Sequence, residues 1–243
     1  MNHLLLVTAH PDDEVMFFVP TILGYKKKHI LCLSTGDYNG LGCTRSKELY
    51  GACKQLFILN ENITLVDDVK LQDGKTKWEC DDIMHHVDRK IKAMCDQSNV
   101  DRNSRVQCID IVTFDIFGVS GHNNHIDIFL ALNEKRSSIA KLYPCVNIYF
   151  LESHSFMYKY SGLGYFIYNV CRNGTVVGTT SATTTFVNPS PSFVYKALYE
   201  HHSQFVWYRL LFVLLSIYSW KNVLRDHCHH GRYMDPTDAG YRA

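Results

Sequence analysis

At 243 residues, with a formal net charge of +1 and 46% hydrophobic against 20% charged residues, the chain has the make-up of an ordinary folded protein with room for a sizeable core. A near-neutral balance without a dense Lys/Arg patch argues against nucleic acid as a partner, and no protein partner is readable. Nine scattered cysteines, odd in number and without a CxxC pair, exclude a disulfide framework and fit a reduced, cytosolic setting.

Residues 4–9, LLLVTA, are short, continuous and apolar, which predicts a fully buried strand too short to serve as a signal-peptide core. His10 follows, then Asp12, Asp13 and Glu14. Asp12 or Asp13 is placed to cap a helix over 15–24, and Lys26, Lys27 and Lys28 suit the dipole at its end. Residues 29–34 read as a second buried strand, STGDYNG as the loop after it, and 44–57 as a helix with Arg45, Lys47 and Glu48 on polar faces. A weaker third strand covers 62–66. Ile83, Val87, Ile91 and Met94 recur at helical spacing within 78–95. A fourth strand at 108–114 runs into the glycine-bearing loop DIFGVSGHNNH, a helix at 126–139 and a fifth strand at 145–151.

This alternation predicts an α/β fold, a Rossmann-like three-layer αβα sandwich with a mainly parallel sheet of order 3-2-1-4-5. Ligands in such sheets sit beyond the carboxyl ends of the strands, where the strand order reverses; here that is between strands one and four. The two loops richest in polar residues follow those two strands. After Glu152 the alternation fades. GTVVGTTSATTTFV suggests a small antiparallel ribbon, and a long C-terminal helix is expected from about Ser192 to Trp220. The expectation is one domain over 1–225, with a doubly wound core at 1–151 and ribbon plus helix at 152–225. The tail, 226–243, is expected to be disordered, its His227, Cys228, His229 and His230 solvated. Sequons at Asn62 and Asn173 would matter only in a lumenal protein. No apolar run reaches the roughly 18 residues of a spanning helix. The stretch FVWYRLLFVLLSIYSW, 205–220, has Arg209 inside it and suits a buried helix or a bilayer interface.

The two polar loops supply His10, Asp12 and Asp13 on one side and His122 and His125 on the other. Two histidines and a carboxylate hold a divalent ion and leave a position for water, whose pKa falls toward about 7. A carboxylate free of the ion can take that water's proton, and a further histidine can serve the developing oxyanion or the leaving amine. This is an inventory for metal-assisted amide hydrolysis, although spacing does not separate the roles of Asp12 and Asp13. Taken singly, HPDD also suits a turn with a helix cap, and HxxH is common by chance. Two histidines and a carboxylate also build a facial triad for non-haem iron, but the strand–helix alternation argues against those enzymes' all-β scaffolds.

AHPDDE at 9–14, TRSKEL at 44–49, VTFDIFGVSGHNNH at 112–125 and HHSQFVWYR at 201–209 resemble, in order and over nearly the whole chain, the LmbE-like zinc deacetylases. Within that family they resemble the PIG-L type, the de-N-acetylases of GPI-anchor biosynthesis. The resemblance implies His10, Asp13 and His125 as metal ligands, for zinc or another divalent ion. It makes Asp12 the general base and His122 the oxyanion stabiliser or acid. Arg45 falls at a position suited to the substrate's phosphate, or to a surface helix. Asp115 would orient a ligand histidine, or cap its loop. The implied substrate is N-acetylglucosaminyl-phosphatidylinositol, deacetylated at the cytosolic face of the endoplasmic reticulum membrane. A soluble deacetylase of a small N-acetylglucosamine conjugate and a non-catalytic glycolipid-binding subunit are the alternatives. Members of this branch usually begin with a membrane-spanning helix, and this sequence starts close to its first strand. The expectation is that the sequence is truncated or that 205–220 docks the enzyme on the bilayer.

Overall fold

The strand at the centre of the molecule, β1 (His3–Thr8), is buried along its whole length, because helices cover both faces of the sheet it belongs to. The computed structural model describes residues 2–74, 76–100, 108–171, 178–179, 183–188 and 190–226. β2 (Lys27–Cys32), β3 (Ile63–Leu65), β4 (Ile109–Phe114) and β5 (Val146–Leu151) run parallel to β1 in the expected order β3-β2-β1-β4-β5. Side chains alternate across the sheet. Leu4 and Leu6 enter one core with Phe18, Ile22, Leu49 and Leu198. Leu5 and Val7 enter the other with Ile83, Val87, Ile91, Ile128 and Leu132. Each such leucine, fully buried, contributes roughly 1.5–3 kcal/mol.

In chain order the helices are α1 (Asp13–Phe17), α2 (Val19–Gly24), α3 (Gly42–Gln55), α4 (Cys80–Val100), the single turn α5 (Gly118–Gly121) and α6 (Asn123–Leu142). Beyond β5 come α7 (Phe156–Lys159), α8 (Gly162–Cys171), α9 (Ser192–Glu200) and α10 (Trp207–Leu215). The helix expected over 15–24 is divided at Phe18, just before Pro20, whose missing N–H suits the first turn of a new helix.

The C-terminal third departs from the sequence reading in two ways. The ribbon is present as the antiparallel pair β6 (Gly178–Thr179) and β7 (Thr183–Val187), but it is part of the main sheet. An unforeseen strand, β8 (Lys221–Arg225), lies between β5 and β7 and is antiparallel to both, pairing Leu151 with Leu224 and Thr185 with Val223. Asn222 anchors it. Its side chain accepts from the Thr21 amide and hydroxyl at 3.0 and 2.8 Å and donates to the Phe17 carbonyl at 2.8 Å.

The single helix expected from Ser192 to Trp220 is instead two, α9 and α10, separated by a 3-10 turn at His202–Gln204 and by extended Val206. Side-chain bonds made between them explain the break. His201 enters the core, and Glu48 takes both the amide and the hydroxyl of Ser203 at 2.6 Å. Among the described residues no helix is long and apolar enough to cross a membrane. The tail beyond Asp226, with His227, Cys228, His229, His230, and the sequon at Asn173 lie outside the described residues.

Candidate active site

β1 and β4 are neighbours, so the loops that follow them leave the same edge of the sheet side by side and bring His10, Asp12 and Asp13 to His122 and His125. Two of the three non-glycine residues with positive φ among those described stand on these loops, Asp12 (φ 119°) and Val119 (φ 61°). Such backbone costs roughly 1–3 kcal/mol each and persists where surrounding bonds impose it.

Asp13 turns back onto the strand end instead of capping α1. Its Oδ2 accepts the amides of Ala9 at 3.0 Å and His10 at 2.9 Å, and its Oδ1 lies 3.2 Å from His125 Nε2. Burial would raise its pKa, but the imidazoles of His125 and His10 and the backbone bonds hold the carboxyl well below the usual range. His125 stacks on Phe114, ring centroids 3.8 Å apart, and bonds the Gly118 carbonyl through Nδ1 at 2.9 Å. A ring that donates from Nδ1 leaves a bare lone pair on Nε2, and that buried atom has no hydrogen-bond partner among the described residues. A lone pair and a carboxylate oxygen facing each other at 3.2 Å repel unless a cation or proton lies between them.

His10 shows the complementary pattern. Its Nε2 lies 3.1 Å from Asp73 Oδ1 and 3.3 Å from Asn124 Oδ1, two acceptors that fix the proton there and leave Nδ1 facing Asp13 Oδ2 at 3.8 Å. Burial works to lower its pKa, yet the Asp73 bond and the charges of Asp13, Asp73 and Asp12 raise it. His122 completes the cluster, its ring 4.7 Å from that of His10 and 5.0 Å from that of His125. Burial, with His10 and His125 beside it, lowers its pKa and so favours the neutral imidazole. One nitrogen each from His10, His122 and His125 fall within 4.8 Å of one another, with the Asp13 carboxylate alongside. Imidazole nitrogens and an anionic oxygen, with His122 Nδ1 and His125 Nε2 both buried and without a hydrogen-bond partner among the described residues, are a donor set that fits a divalent ion.

Asp12 stands beside this cluster. Its amide donates to Glu14 Oε2 at 3.0 Å and its carbonyl accepts from Val15 and Met16, which holds the strained backbone. Its carboxylate meets Arg209 Nη1 at 2.8 Å and Arg45 Nη2 at 3.4 Å. Glu14 is fully buried, and its other oxygen lies 2.6 Å from Nε2 of equally buried His201.

Arg45 is buried, and both terminal nitrogens donate to backbone, Nη1 to Gly36 at 2.9 Å and Nη2 to Pro11 at 2.6 Å. It ties the loop after β2 to the loop after β1. Asp115 bonds no imidazole among the described residues. It accepts from the Ser153 amide and hydroxyl at 2.7 and 2.6 Å and from the Phe117 amide at 3.1 Å, which sets the turn whose Gly118 carbonyl holds His125.

Sequence reasoning missed Asp73, Asn124 and the Glu14–His201 pair, and gave Arg209 no role in the site. Asp73 lies in a loop that Trp78 fixes by donating to Gln72 O and Asp127 Oδ2. No spacing in the sequence tied it to His10; the DG after Gln72 signalled only a turn.

A doubly wound sheet that delivers three imidazoles and two carboxylates to its switch point defines a class: an α/β protein with a cation-competent His/Asp cluster. The chain belongs to the GlcNAc-PI de-N-acetylase (PIG-L) family, whose sequence model matches residues 5–134. That family is one of metal-dependent deacetylases. The chain is 36% identical to a probable N-acetylglucosaminyl-phosphatidylinositol de-N-acetylase of Schizosaccharomyces pombe over 93% of its own length and 87% of the relative's. It is 32% identical to one of Dictyostelium discoideum, over 91% and 92%. Among solved structures, the 4-carboxy-2-hydroxymuconate hydratase GalB of Pseudomonas putida KT2440 shares the fold, with a TM-score of 0.58 over 97% of this chain and 99% of that one at 15% identity.

Proposed function

We propose that the chain is a metal-dependent hydrolase that removes the N-acetyl group from N-acetylglucosaminyl-phosphatidylinositol, an early step in building GPI anchors. The observation that carries this reading is the pair of unshared electron-pair donors, His125 Nε2 and Asp13 Oδ1, held 3.2 Å apart in the interior beside His10 and His122. The relatives' names support the substrate.

His10 through Nδ1, Asp13 through Oδ1 and His125 through Nε2 would hold the ion, zinc by the chemistry of the donors. A divalent ion so held would supply Lewis acidity, lowering the pKa of a bound water toward about 7. Asp12 takes the proton as the water's oxygen bonds to the acetyl carbon. His122, whose surroundings favour the neutral ring, donates a hydrogen bond to the carbonyl oxygen as charge develops there. When the C–N bond breaks, the proton passes to the nitrogen, leaving acetate and a free amine. Arg45 and Arg209 keep the carboxylate of Asp12 in place.

The lipid end of the substrate suits α10, where Trp207, Tyr208, Leu211 and Leu214 face outward. We place the enzyme, on this reading, at the cytosolic face of the endoplasmic reticulum membrane, with the outward face of α10 at the bilayer surface; residues 216–220, the rest of the stretch expected to dock there, are buried in the protein. Acetate release from the glycolipid, measured with and without chelator and after metal add-back, tests the proposal. Asp12→Asn should lower turnover by about 10²–10⁴-fold; full turnover in that variant would remove Asp12 from the role of base.

A further inference from the structure

The proposed substrate carries a phosphodiester between its sugar head and its lipid, so the site needs a cation with a free hydrogen-bonding edge on the lipid side of the reacting amide. The cations that reach the cluster differ in this respect. Arg45 is buried, donates both terminal nitrogens to the Gly36 and Pro11 carbonyls, and lies 3.4 and 3.6 Å from Asp12 and Asp73. Its charge and its fork are committed inside the protein. Lys159 is held on the Val119 carbonyl at 3.3 Å.

Arg209 is built differently. It is the one charged residue of α10, the helix that presents Trp207, Tyr208, Leu211 and Leu214 to the outside. Its Nη1 is 2.8 Å from Asp12 Oδ2, and Asp12 is the only residue its guanidinium bonds among those described. The side chain remains 18% exposed, at the rim of the crevice. One terminal nitrogen therefore faces the reacting end, while Nε and Nη2 make no hydrogen bond among the described residues and form the edge through which a guanidinium pairs bidentately with phosphate. From the loop after β1 outward onto α10 the order of features matches that of the substrate: amide at Asp12, phosphate at Arg209, acyl chains at the exposed apolar face.

We infer that Arg209 is a specificity-determining residue that grips the substrate's phosphodiester and so selects the phospholipid-linked sugar over neutral N-acetylglucosamine conjugates. The inference rests on the deacetylase reading above, but its test has an arm that does not. Wild type and Arg209→Gln, both metal-loaded, are compared for kcat/KM on N-acetylglucosaminyl-phosphatidylinositol and on the phosphate-free N-acetylglucosaminyl-inositol. The ratio of the two values should fall at least tenfold in the variant, chiefly through KM for the phosphodiester, with Arg209→Lys recovering part of the loss. If both substrates fall by the same factor, Arg209 only steadies Asp12 and the inference is overturned. In parallel, calorimetric titration with glycerophosphoinositol should show binding at least tenfold weaker in Arg209→Gln; equal binding overturns the inference. Should wild type release acetate from neither substrate, the deacetylase reading fails and the titration alone decides the role of Arg209.

Discussion

His201→Ala removes one half of an ion pair that is fully buried on both sides, with Nε2 and Glu14 Oε1 2.6 Å apart. The substitution leaves a carboxylate in the interior without its charge-assisted partner. Breaking a buried pair from one side costs about 3–5 kcal/mol, against a total stability of roughly 5–15 kcal/mol for a domain. For a chain of this size each kcal/mol moves the midpoint by about 2–4 °C, so Tm should fall by about 6–20 °C. The damage should reach the site as well, because the other oxygen of Glu14 holds the amide of Asp12 in its strained conformation. Urea and thermal unfolding followed by circular dichroism measure the loss. The double variant Glu14→Gln/His201→Gln should be less destabilised than the sum of its single changes, since no unpaired charge remains. A His201→Ala protein that loses less than about 1 kcal/mol, the range of a solvent-exposed pair, would refute the reasoning.

Burial, with Lys90, His3 and Lys27 nearby, holds His29 down to about 4. Its folded pKa lies below the unfolded value near 6.5, so the unfolded chain binds the proton first; stability is full above about pH 6.5 and falls as pH drops toward 4. With partial solvent screening allowed for, this amounts to about 1–2 kcal/mol, and urea titrations across that window should show a shallower loss in His29→Asn. Asp73→Asn, which removes the charge facing His10 Nε2, should weaken metal affinity by about 10–100-fold in chelator competition; unchanged affinity would remove Asp73 from the support of His10. Trp207→Ala/Leu211→Ala should reduce flotation with phosphatidylinositol-containing liposomes at least tenfold, and equal flotation would place the bilayer contact elsewhere.

The parallel half of the fold was legible because buried strands announce themselves. LLLVTA and the segment around Ile30–Leu33 are apolar without interruption, and the helices between them repeat apolar residues at regular spacing. β8 was not legible. KNVLR is five residues long, two of them cationic, and its burial comes from Asn222 and Leu224 meeting partners on α2, β5 and β7. The break between α9 and α10 was hidden for the same reason, since Glu48 and Glu14, the side chains that draw Ser203 and His201 out of a helix, come from far earlier in the chain. In the site, residues near one another in sequence were recognisable by type. Asp73 and Arg209 reach the cluster from other loops and elements, and long-range contact leaves no periodic trace in a single sequence.

The place of β8 also orders events in time. Until residues 221–225 leave the ribosome, β5 has no neighbour on its outer side, and β7 has none to bridge it to the parallel strands. At roughly 5–20 residues per second, the stretch of about 70 residues between β5 and β8 takes several seconds to synthesise. During that interval the nascent chain carries an open row of amides and carbonyls beside its half-built crevice, a ready template for another nascent copy or for a chaperone that shields it. Stop codons that truncate the chain before Lys221 should therefore yield aggregates, even though His10, Asp13 and His125 have all been made.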